Sequence, residues 1–79
     1  MERIIFHTEP DSIEFVRHKS GAWLGCGVAF HAQPGESDVS ACLRAAHSEH
    51  YDIHPATPCE IHRPSGQVWR TVAGRRRAI

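Results

Sequence analysis

Clusters of turn-forming residues cut this chain into short pieces, and that punctuation constrains its fold more than any other feature. Thr8-Glu9-Pro10-Asp11-Ser12, Lys19-Ser20-Gly21, Gln33-Pro34-Gly35 and Pro64-Ser65-Gly66 each join residues that favour tight turns or positive φ. Between them, both ends of the chain alternate apolar and polar residues with the period of a strand, and only one central stretch has the period of a helix.

Residues 3–7 are apolar enough for a short strand. Ile13 to His18 forms a second, with Ile13 and Phe15 on one face and Glu14 on the other. Lys19-Ser20-Gly21 signals a hairpin, and Ala22 to Phe30 reads as one returning strand. In it Leu24, Cys26, Val28 and Phe30 share a face, and Trp23, Gly25, Gly27 and Ala29 share the other. A two-residue Ser20-Gly21 loop sets Phe15 opposite Cys26 and Ile13 opposite Val28, whereas a three-residue loop shifts the register by one. Gly25 and Gly27 thin their face, for close backbone approach or for curvature.

Ser37 or Asp38 can cap a helix running to about Tyr51. Val39, Cys42, Leu43, Ala46 and His50 form its narrow apolar stripe. Asp52 to Pro58 ends the helix and leads into a second hairpin, Cys59–Arg63 and Gln67–Val72 around Pro64-Ser65-Gly66. With Arg63 opposite Gln67, Ile61 meets Trp69 on one face and Glu60 meets Arg70 on the other. The expected fold is α+β: an antiparallel sheet of four to five strands in the order β-β-β-α-β-β, with one helix packed on one face. Residues 1–79 make a single domain, with 74–79 expected to be a flexible basic tail. The first strand and Val68–Val72 are the candidate sheet edges.

A chain of 79 residues buries little core and gains from a metal, a disulfide or a partner subunit. Its three cysteines, Cys26, Cys42 and Cys59, lack any paired spacing and point to a reducing compartment. The N-terminal residues lack a signal-peptide core, and no apolar run spans a bilayer, so a soluble cytoplasmic protein is expected. Nine Lys and Arg balance nine Asp and Glu. Such a balance lacks the broad basic face of a nucleic-acid binder and offers little self-repulsion against association.

Seven histidines are many for this length. Three crowd into His47-x-x-His50-x-x-x-His54, and Cys59-x-x-His62 follows. On paper His47, His50, Cys59 and His62 are a zinc set, with His54 spare. His47 and His50 can share a helix face, but Cys59 and His62 lie three apart in a strand and point to opposite faces. Cys59 also shares its face with Ile61 and Trp69, as a small buried hydrophobe. The favoured reading therefore has no cofactor, and zinc is the alternative. Cys26 and Cys42 read as core, no nucleophile or phosphate-loop motif appears, and no enzyme is expected. Arg75, Arg76 and Arg77 give the alternative of nucleic-acid contact, extended by Arg17, Lys19, Arg63 and Arg70 if these share a face. Trp23 and Trp69 are better spent in the core than on bases.

Gly21-Ala22-Trp23 in the first hairpin, the amphipathic helix, and Glu60-Ile61-His62-Arg63-x-x-Gly66-Gln67-Val68 resemble a class of small uncharacterised phage and bacterial domains over residues 13–73. That class includes several anti-CRISPR proteins with hairpin–helix–hairpin layouts. The resemblance transfers no functional residue. It implies an inhibitor that binds a protein partner such as a multisubunit host complex, and the neutral body favours steric occlusion over acidic DNA mimicry. The sequence thus leads to a non-enzymatic protein-binding module, with His47, His50, Tyr51, His54 and Arg70 as expected contacts and a homodimer as a further form of partnering. The alternative is a zinc-stabilised or basic-tailed nucleic-acid accessory protein.

Overall fold

A computed structural model of the chain describes residues 2–74. The elements are β1 (Arg3–Phe6), β2 (Ile13–Arg17), β3 (Trp23–Gly25), β4 (Val28–Phe30), α1 (Asp38–Ser48), β5 (Pro58–His62) and β6 (Val68–Val72). All six strands join one antiparallel sheet in the order β4-β3-β2-β1-β5-β6. The fold is α+β as expected, but with six strands rather than four to five, and with four of them before the helix rather than three. The expectation for the tail lies outside the described residues except at Gly74, whose N–H donates to the Pro55 carbonyl.

The extra strand comes from a turn inside Ala22–Phe30. Cys26 has φ 52° and Gly27 φ 75°, the paired positive values of a type I′ hairpin. The chain reverses there, so Gly25 pairs with Val28 and Trp23 with Phe30. Gly27 therefore serves a turn. Gly25 serves close approach, since a Cβ on it would stand 2.4 Å from the Phe15 ring. The preceding hairpin uses the three-residue loop: His18 donates to the Ala22 carbonyl and Gly21 has φ 98°. This pairs Val16 with Leu24 and Arg17 with Trp23, one step from the register that a two-residue loop gives. In consequence Trp23 is 1% exposed and Leu24 is 42% exposed, the reverse of the expected face.

The second hairpin matches its expected register throughout, with Ile61 opposite Trp69 and Glu60 opposite Arg70. Gly66 supplies the positive φ of its loop. β1 is not an edge. It lies between β2 and β5, pairing Ile4 with Phe15 on one side and with Ile61 on the other.

Ser37 caps α1, its hydroxyl accepting the Ser40 N–H at 3.1 Å. The helix stops at Ser48, short of the expected Tyr51. Tyr51 N–H donates to the Ala46 carbonyl and His50 N–H to the His47 carbonyl, with His50 at φ 71°. These bonds form a Schellman motif with histidine where glycine is usual. Cys42, Ala45 and Ala46 of the helix share one buried cluster with Ile4, Phe6, Phe15, Trp23 and Cys59, all from one sheet face. Phe15 sits edge-on to both Phe6 and Phe30. Among the described residues, no helix is long and apolar enough to cross a membrane.

Candidate protein-binding surface

The helix leaves one flank of the sheet uncovered. Trp69 points to the helix side of β6, opposite the partly buried Ile61, yet it is 51% exposed. It belongs to the wall of a groove running between the first turn of α1, at Val39 and Ser40, and the β5–β6 hairpin, at Ile61, Arg63 and Thr71. The Thr71 hydroxyl oxygen is buried without a hydrogen-bond partner among the described residues. Trp69 is not a core residue, contrary to what its place opposite Ile61 predicts.

β6 is also the last strand of the sheet. Arg63 N–H donates to the Gln67 carbonyl at one end of the hairpin, and Ala73 N–H to the Thr57 carbonyl at the other, each at 2.8 Å. These bonds set the phase of the antiparallel ladder. Trp69 and Thr71 exchange bonds with β5, while Val68, Arg70 and Val72 turn their N–H and C=O groups to the open side. The opposite edge is blunter, because β4 has three residues.

Arg70 lies on the far face from the helix, with a side chain 77% exposed and its Nε 4.0 Å from Glu60. Glu60 is engaged more closely by His62 at 3.0 Å and His7 at 3.2 Å. These contacts hold its carboxyl below the usual range, His62 contributing most. The expected Glu60–Arg70 ion pair is therefore the loosest of Glu60's contacts, and Arg70 remains available.

His47, His50, Tyr51 and His54 are all exposed at the end of α1 and in the following loop. They do not share a face with Arg70, which projects from the side opposite the helix. Three of them have local roles. His47 Nε2 lies 3.3 Å from the Ile53 carbonyl, His50 makes the left-handed cap, and His54 Nδ1 accepts the Ala56 N–H at 3.0 Å. The alternative zinc set does not converge: Cys59 is buried under the helix, while His62 sits on the opposite face beside Glu60. Among the described residues, no group of three or more His, Cys, Asp or Glu side chains is arranged to hold a metal ion.

Two of the three thiols are shielded. Burial pushes Cys59 up to about 11, aided by Glu60, and pushes Cys42 higher still. Cys26, in its turn, is also raised by burial and then by the charge of Glu49. The basic patch is likewise dispersed. Arg17 and Arg63 both approach Glu2, at 3.1 and 3.9 Å, and Arg17 lies over the Trp23 ring on the helix side. Arg70 is on the other face, and Arg75, Arg76 and Arg77 lie outside the described residues. Compared with protein-family models, curated proteins and solved structures, the chain matches none of them.

Proposed function

We propose that this chain is a non-enzymatic protein-binding module that docks through its β6 flank. The observation that carries this reading is Trp69, a large aromatic left half exposed beside an apolar groove on an edge strand. Tryptophan and arginine are the residues that most often anchor protein interfaces, and Arg70 is its neighbour. A soluble domain gains nothing in stability from an indole held in water, so an occupant that covers it accounts for its placement. The finer form is an inhibitor that blocks a host complex by bulk. Its support is the resemblance of the hairpin–helix–hairpin sequence to phage domains, together with a formal charge of zero that is ill suited to mimicking DNA.

The test is capture of partners from a host lysate by immobilised protein, using two variants checked for folding by circular dichroism. Trp69→Ser should abolish capture of the specific partner. Combined alanine substitution of His47, Tyr51 and His54 should leave it. The reverse outcome moves the interface to the helix end, and capture unchanged in both variants removes the β6 flank from consideration.

A further inference from the structure

The open edge of β6 specifies its occupant more closely than the groove alone does. We infer that β6 accepts an extended, acidic-apolar peptide as a seventh, antiparallel strand. This rests on the protein-binding reading above and names the partner's chemistry.

Three outward-facing residues, Val68, Arg70 and Val72, offer both backbone donors and acceptors along the side of the strand that is free among the described residues. A peptide laid there satisfies them by main-chain bonding, which supplies affinity without fixing sequence. Side chains then select. The residue opposite Arg70 shares its face, away from the helix, and meets an arginine whose side chain is 77% exposed and only loosely paired. A carboxylate suits that position. The residues on either side of it point to the helix side, next to Trp69 and the groove formed with Val39 and Ile61. Apolar side chains suit those positions. The pattern sought is apolar, acidic, apolar.

Charge also weighs against the competing occupants. A second copy pairing β6 with β6 in the centred antiparallel register puts Arg70 opposite Arg70, and like charges directly opposed are unfavourable. A nucleic acid would satisfy Arg70, but it cannot match the alternating N–H and C=O groups of Val68, Arg70 and Val72.

The test uses two capped heptapeptides, one alternating valine with glutamate and one alternating valine with lysine. Binding is followed by tryptophan fluorescence; Trp23 is buried, so Trp69 reports. The glutamate peptide should bind about tenfold more tightly than the lysine peptide, and added salt should weaken it. Arg70→Glu should reverse the preference. Val68→Pro removes an outward donor at the first position of an edge strand and should abolish binding of either peptide while the far-ultraviolet spectrum is kept. If Val68→Pro fails to fold, the Arg70→Glu reversal decides alone. Equal binding of the two peptides, or no binding of either, overturns the inference. So does a sedimenting dimer that dissociates on Arg70→Glu or Val68→Pro, or a single-stranded oligonucleotide that moves the Trp69 signal when the peptides do not. If the peptides fail while capture from lysate still depends on Trp69, strand addition is wrong and the binding-module reading stands.

Discussion

His50 shows how one residue can hide a boundary. A helix end is ordinarily announced by glycine or asparagine at the left-handed position, and here that position is histidine at φ 71°. Its Cβ crowds the following carbonyl at a cost on the order of 1 kcal/mol. His50→Gly should therefore raise stability by about 0.5–1 kcal/mol, after allowing for glycine's greater freedom in the unfolded chain. In urea this reads as a higher midpoint with an unchanged slope. A fall in midpoint would mean that the imidazole contributes more than the strain removes. Cys26 hid a boundary in the same way. At φ 52° it occupies the first place of a type I′ turn, where asparagine or aspartate is expected, and so the strand around it reads as unbroken.

At the scale of elements, legibility followed turn chemistry. Pro64-Ser65-Gly66 leaves one economical loop, and the register of β5 with β6 was readable residue by residue. Lys19-Ser20-Gly21 admits two loop lengths, so the register of β2 with β3 stayed open between neighbouring choices until His18 and Ala22 were seen to pair. The start of α1 was readable because Ser37 is a capping residue followed by helical spacing. One further tie at that end was not visible in local pattern. Arg44 reaches back with Nε and Nη2 to the Glu36 carboxylate, at 2.9 and 3.0 Å, and Glu36 also accepts the Gln33 N–H. Arg44 above all holds the Glu36 carboxyl at about 2, against its usual 4.5. The unfolded chain thus takes up this proton at higher pH than the folded chain. Stability from the pair is complete above about 4.5 and is lost as pH falls towards and through 2. The melting temperature should decline across that window, and Glu36→Gln should flatten part of the decline; an unchanged slope would show that the pair is solvated away.

At the scale of the whole molecule, Trp69 stays outside the core for a dimensional reason. An eleven-residue helix is about 16 Å long and about 10 Å wide, whereas six strands extend about 24 Å across the sheet. Such a helix cannot cover the whole face, and no local pattern says which flank it leaves bare. The covered part can be checked by its thiols. Cys42 and Cys59 are buried with raised proton affinity, whereas Cys26 is partly exposed in a turn. A thiol reagent followed by mass spectrometry should modify Cys26 in the native protein and the other two only when the whole domain opens. Modification of Cys42 as fast as Cys26 would mean that the helix lifts from the sheet by itself.

The central place of β1 carries a consequence for how the chain is made. Ile4 and its partner Ile61 are more than fifty positions apart. During synthesis β1 through β4 can assemble early, but the strand that will become the middle of the sheet must wait with one side bare until β5 leaves the ribosome. The rate of completing the sheet is set by that long closure, and the nascent chain is most open to unwanted pairing along β1, the strand that is best protected once the protein is finished.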